Sequence, residues 1–204
     1  MDLSTPGADL LGPIRARVIA ALARTADPVS GREVARLADG LAPSSTHREL
    51  QALVEVGLVT ARRTSHATTY TLNREHVLWP PLAEILGSFA RVEQRIRESV
   101  ERHLGGEVSC ALFGSVARGD STPSSDIDLL IVTDTESDRV VDALDRVRDE
   151  LAQFTGNNPQ LIAITRPQVR RMVAAGDPLV ASWQADLRMI SGPDVHDLLR
   201  KARP

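Results

Sequence analysis

The chain has 204 residues, 42% of them apolar and 25% charged, with a formal net charge of −3. That length and balance suit two ordinary globular domains and exclude a low-complexity or disordered chain. A single cysteine excludes an internal disulfide framework. No apolar run nears the ~20 residues that span a bilayer and no basic-then-apolar leader opens the chain, so a cytoplasmic protein with no membrane contact is expected.

Residues 1–10 hold turn formers and little periodicity, which reads as a frayed tail. Pro13 stands at a first helical position, and Ile14, Val18, Ala21 and Leu22 recur at helical spacing up to about Arg24. Ser30 can cap a second helix from Gly31 to Ala38, with Glu33 completing a capping box. After Pro43, the run Ser44-Ser45-Thr46-His47-Arg48-Glu49-Leu50 leads into Leu53 and Val54, a third helix stopped by Gly57. Leu58-Val59-Thr60 and Thr69-Tyr70-Thr71-Leu72 then read as a hairpin, with a tip from Ala61 to Thr68 that includes Arg62, Arg63 and His66 and holds no acid.

Two short helices followed by such a hairpin resemble a winged helix-turn-helix of the arsenic-repressor or multiple-antibiotic-resistance-repressor kind. Double-stranded DNA is the partner this resemblance implies. Ser44, Ser45, Thr46, His47 and Arg48 would then enter a major groove, with Arg62 and Arg63 on phosphates or in a minor groove. A protein-interaction module is the competing reading. Residues 1–78 hold 9 Arg/Lys against 8 Asp/Glu, so net charge does not decide between them.

From Pro80 or Pro81 to Leu104, Ile85, Phe89, Val92, Ile96 and Val100 recur every three or four residues. This predicts one long amphipathic helix joining two domains, with homodimerisation as its alternative use. Beyond Gly105-Gly106, strands are expected over Val108–Phe113, Ile127–Val132 and Pro159–Thr165. A helix from Ser137 or Asp138 to about Gly156 should lie between the last two. Short helices from Pro167 and Asp177-Pro178, a brief strand at Met189-Ile190 and a final helix from Pro193 complete a small α/β layer structure.

The stretch from Cys110 to Val132 carries the chemistry. A short apolar strand ends at Gly114-Ser115, where free backbone N–H groups can cradle phosphate oxygens. Asp126 and Asp128 open the next strand at a spacing of two, so they project to one face, and paired carboxylates there need a cation or a shared proton. Phosphate cradle and hard-cation ligands together are what metal-assisted phosphoryl transfer uses.

Gly114, Ser115, Asp126 and Asp128, with Ala117-Arg118-Gly119-Asp120 between them, resemble the signature of the DNA polymerase β-like minimal nucleotidyltransferases. The resemblance implies Mg²⁺ held by Asp126 and Asp128, an NTP such as ATP lying on Gly114 and Ser115, and Arg118 on a β- or γ-phosphate. It also implies a third carboxylate on the next strand, where this sequence offers Gln160. An amide can donate oxygen to a metal but cannot take a proton at neutral pH.

The expected protein is therefore α+β/α/β: a winged helix-turn-helix over residues 11–78, a linking helix over 79–104, and a minimal nucleotidyltransferase with a small mixed sheet over 105–204. Two functions follow. One is Mg²⁺-dependent transfer of NMP from NTP to a hydroxyl of a protein, RNA or small molecule, in the manner of an autoregulating antitoxin acting on its toxin. The other is a transcription regulator that senses nucleotide without turning it over.

Overall fold

The computed structural model describes residues 1–65 and 67–200, so the expected hairpin-tip residue His66 lies outside the described residues. The chain divides into two units. One is Thr5–Ser88; the other joins Met1–Ser4 to the chain from Phe89 onward.

The first unit begins with α1 (Ala8–Leu11) and α2 (Pro13–Ala23), then a two-residue strand β1 (Val29–Ser30) that the sequence did not announce. α3 (Gly31–Leu37) is capped by Ser30, whose Oγ accepts from Glu33 N at 3.2 Å. The return half of the expected capping box is not made, because the Glu33 carboxylate takes Arg36 at 2.6 Å instead. α4 (Pro43–Glu55) starts with proline at a position that needs no N–H donor. β2 (Val59–Arg63) and β3 (Thr68–Leu72) form the hairpin, and β1 adds to β3, giving an antiparallel sheet in the order β1-β3-β2. Val18, Leu22, Val34, Leu50, Leu53, Val59 and Tyr70 make the core of this unit.

The single linking helix expected over residues 79–104 is two helices. α5 (Trp79–Leu86) and α6 (Ser88–Leu104) part at Gly87, and they fall in different units. The apolar stripe explains the parting. Trp79, Leu82 and Leu86 cover the core of the first unit, whereas Val92, Ile96 and Val100 are buried in the core of the second.

The second unit is built on β4 (Ser109–Phe113), the short helix α7 (Gly114–Arg118), β5 (Ile127–Thr133), α8 (Asp138–Thr155) and β6 (Pro159–Thr165). α9 (Arg166–Ala175), α10 (Pro178–Asp186), β7 (Arg188–Ser191) and α11 (His196–Leu199) complete it. The helix expected from Pro193 is thus only one turn. The sheet order is β6-β5-β4-β7, with β5 and β6 parallel and the other pairs antiparallel, the small mixed sheet that was expected.

Both faces of that sheet are covered, which is why β4 and β5 read as unbroken apolar runs rather than alternating ones. Cys110, Leu112, Ile127, Leu129 and Ile131 face a core shared with α6 and α8. Ala111, Phe113, Leu130 and Val132 face α9, α10 and α11. Residues 1–4 are not frayed: Leu3 is buried in the α6/α8 core. Among the described residues no helix is long and apolar enough to cross a membrane.

Candidate functional site

β4, an interior strand, ends at Phe113, and Gly114 then turns the chain into α7 with φ +73°. A Cβ added at Gly114 would stand 2.3 Å from Asp128 Oδ2, so the backbone here approaches the carboxylate as only glycine permits. The ladder explains the meeting, because Phe113 pairs directly with Asp128. Asp128 shares the parity of Leu130 and Val132, so its side chain leaves the sheet on the α10 side, and Asp126, just before β5, lies close enough for its charge to act on it.

On the other side of β5, Asp128 pairs with Gln160 in parallel register. The residue beside the second aspartate on the next strand is therefore an amide. Asn158 Nδ2 donates to Asp126 Oδ1 at 3.1 Å, which fixes one oxygen of that carboxylate. Burial, and then the charge of Asp126, pushes the Asp128 carboxyl above its ordinary range; Arg118 partly offsets this, and Asp186 adds to it.

Two half-buried carboxylates, the charge of Asp126 acting on Asp128, are a hard-oxygen pair whose chemistry fits Mg²⁺. Among the described residues no cluster of three or more His, Cys, Asp or Glu side chains is placed to hold a metal ion. An ion here would rest on Asp126 and Asp128, with water and phosphate oxygens completing its shell.

Ser115 does not cap α7. The N-cap position is Phe113, and no side chain bonds there. Arg118 ends the helix and is not pointing free: its Nε donates to Asp120 Oδ2 at 3.2 Å and its Nη1 to Asp186 Oδ2 at 2.6 Å. These two hydrogen bonds raise the guanidinium above its usual value.

Asp186 is the site neighbour that sequence reasoning missed. Its side chain is 6% exposed, and its Oδ1 is buried with no hydrogen-bond partner among the described residues. It ends α10, which is seated under the Gly-Ser turn by Trp183 meeting Phe113 edge-on at 6.2 Å. Its pairing with Arg118 spans 68 residues of sequence, and no local pattern announces it.

In the first unit the candidate residues separate by helix face. Ser44, His47 and Arg48 are exposed on α4 and Ser45 is half-buried. Thr46 is fully buried and its hydroxyl donates to Ala42 O at 3.2 Å, so it belongs to the core and not to a DNA-reading group. It lies four residues before buried Leu50 and seven before buried Leu53, a helical spacing that the sequence alone could have revealed. Arg62 and Arg63 are exposed near the end of the hairpin.

Residues 93–185 match the family model described as a nucleotidyltransferase domain, and residues 16–63 match that of the IclR helix-turn-helix domain. The matching helix-turn-helix model is thus the IclR one, where an arsenic-repressor or multiple-antibiotic-resistance-repressor kind was expected. A protein of Methanocaldococcus jannaschii, provisionally named a protein adenylyltransferase, is 46% identical over 54 residues, covering 24% of this chain and 54% of that protein. The chain therefore spans about half the length of this curated relative. No solved structure matches.

Proposed function

From a chain that joins a helix-turn-helix domain to a nucleotidyltransferase domain, we propose a Mg²⁺-dependent enzyme that transfers NMP from NTP to a hydroxyl of a protein and binds DNA through a winged helix. The observation that carries this reading is the approach of Gly114 to Asp128, with Asp126 two residues before it and close enough for its charge to act on it. The provisional name of the matched relative favours a protein acceptor and AMP as the group moved.

A magnesium ion on Asp126 and Asp128 would supply charge neutralisation at the triphosphate oxygens. The protein's own part is to hold and orient. Gly114 and the backbone N–H groups that follow it make room for phosphate oxygens at the turn. The acceptor hydroxyl oxygen forms a bond to the α-phosphorus, the α–β bridging bond breaks, and pyrophosphate leaves. Gln160 stands beside Asp128 and takes no proton, so the hydroxyl proton passes to water.

The same amide supports a second reading, in which nucleotide is bound and sensed but turned over slowly or not at all, and the winged helix acts as the output. In either reading Ser44, His47 and Arg48 meet a major groove, and Arg62 and Arg63 meet the phosphate backbone. An autoregulating antitoxin that modifies its toxin combines DNA binding and transfer in one chain.

The test is incorporation of label from α-³²P-NTP into lysate protein, RNA and small molecules. Wild type should label protein, and Asp126→Asn with Asp128→Asn should not. Gln160→Asp should raise the rate, since general-base assistance is worth ~10² to 10⁴. Labelling by neither wild type nor Gln160→Asp, with Mg²⁺–nucleotide binding intact, would establish the sensor.

A further inference from the structure

Asp126 follows a loop of small polar residues, Ser121-Thr122-Pro123-Ser124-Ser125, whose middle is exposed. Within it, Thr122 N donates to Ser125 Oγ at 2.9 Å and Ser125 N to Thr122 O at 3.0 Å. Those bonds close the loop on itself but do not fix it to the domain. Something else must do so, because a ligand carriage displaced by about 1 Å can cost on the order of 10² in rate.

Residues 1–4 supply the anchorage. Ser121, buried at the start of the loop, donates its N–H to Ser4 Oγ at 2.8 Å, and Ser4 N donates to Ser121 Oγ at 3.0 Å. The two hydroxyls also meet at 2.7 Å, so the pair is tied by three contacts. At the far end of the loop, Ser125 O accepts from Asn157 Nδ2 at 2.9 Å, and that same amide nitrogen donates to Met1 O at 3.1 Å. Leu3 between them is 2% exposed in the core that also holds Val116 of α7 and Ile127 of β5. The start of the loop is thus held directly by this segment and its end through Asn157, which the segment also meets, and Asp126 is the next residue.

Resting on the nucleotidyl-transfer reading of Asp126 and Asp128, we infer that residues 1–4 are a positioning strap for the cation-binding carboxylate, with Ser4 as its key residue. Ser4 touches neither nucleotide nor metal; it acts through Ser121 on where Asp126 stands. The grip belongs to the second unit, although the chain leaves it at once for the first.

The experiment uses the full chain and measures binding of ATP, and in parallel GTP, CTP and UTP, by calorimetry across a Mg²⁺ titration. Ser4→Ala should raise the Mg²⁺ concentration needed for half-maximal nucleotide binding by on the order of tenfold, and leave Mg²⁺-free binding unchanged. Ser4→Thr, which keeps the hydroxyl, should restore the wild-type requirement. Should Ser4→Ala fail to fold, Ser121→Ala removes the opposite hydroxyl and is read the same way. A folded Ser4→Ala or Ser121→Ala protein with a wild-type Mg²⁺ requirement overturns the strap. A wild-type protein that binds no Mg²⁺–nucleotide, under conditions where it is folded, overturns the underlying reading instead.

Discussion

The close approach of Gly114 to Asp128 makes a prediction that separates backbone strain from site geometry. Gly114 and Gly119 bracket α7, and both hold positive φ, +73° and +78°. Placing an L-residue in either left-handed position costs about 1–2 kcal/mol. For a chain of this size that is a fall of roughly 2–8 °C in the melting temperature of the domain. The surroundings differ, however. A Cβ at Gly119 meets nothing within 4 Å, whereas one at Gly114 lies 2.3 Å from Asp128 Oδ2 and 3.2 Å from its carboxyl carbon. The carboxylate must retreat by about 1 Å, and as the end of a rotatable side chain it can do so at small cost to stability. Gly114→Ala and Gly119→Ala should therefore lose similar stability in denaturant. Only Gly114→Ala should lose the rise in melting temperature that Mg²⁺ and NTP confer on a binding-competent protein, together with about 10² in any transfer rate. The assay is thermal denaturation with and without Mg²⁺–nucleotide. Equal loss of the ligand-induced rise in both variants, or its survival in folded Gly114→Ala, would refute the argument.

Three further outcomes can be checked directly. Arg62→Ala with Arg63→Ala should weaken duplex-DNA binding for all sequences and flatten its salt dependence, measured by anisotropy titrations at several salt concentrations, whereas Arg48→Ala should alter preference between sequences. Thr46→Ala should leave that preference unchanged and cost about 1 kcal/mol of stability in urea denaturation, since the hydroxyl bonds Ala42 O inside the fold. The His103 imidazole, with the Ser99 hydroxyl and the Arg102 guanidinium, holds the Glu150 carboxyl down at about 2. A group depressed in the folded state stabilises above its unfolded value and loses that contribution as pH falls through the folded one. Glu150 stabilisation should fade between about pH 4.5 and pH 2. Acid melts of Glu150→Gln should show a shallower loss across that window than wild type.

The geometry of the candidate site in the second unit was legible because it is local. Gly114, Ser115, Asp126 and Asp128 lie on one strand–turn–strand segment, and a spacing of two keeps the charge of Asp126 within reach of Asp128. Gln160 could be placed beside Asp128 because β6 follows β5 by a single crossover helix, so the next apolar run had one natural register. Asp186 could not, since its meeting with Arg118 depends on how α10 folds back over β4, a matter of packing rather than pattern. Residues 1–4 failed for the same reason: Leu3 is one leucine without a periodic neighbour, and only the finished core shows that it has a place there. The linking helix was misread because helical periodicity continues across Gly87 while the core being covered changes. Thr46 is a different case. Its burial follows from counting helical turns back from Leu50 and Leu53, but adjacency in sequence grouped it with Arg48.

The division of the chain has a thermodynamic consequence of its own. Because Met1–Ser4 and the chain from Phe89 onward belong to one unit, the stretch Thr5–Ser88 is tethered to it at both ends. When the helix-turn-helix melts while its host stays folded, the released chain is a closed loop rather than a free tail. The host acts on it as a cross-link would, and closing a loop of that length removes on the order of 4–5 kcal/mol of unfolded-state entropy. Part of the stability of the DNA-binding domain is therefore stored in the grip of Leu3 and Ser4 on the other domain. A single backbone cut between residues 88 and 89 would withdraw the covalent half of that tether and leave only the noncovalent one.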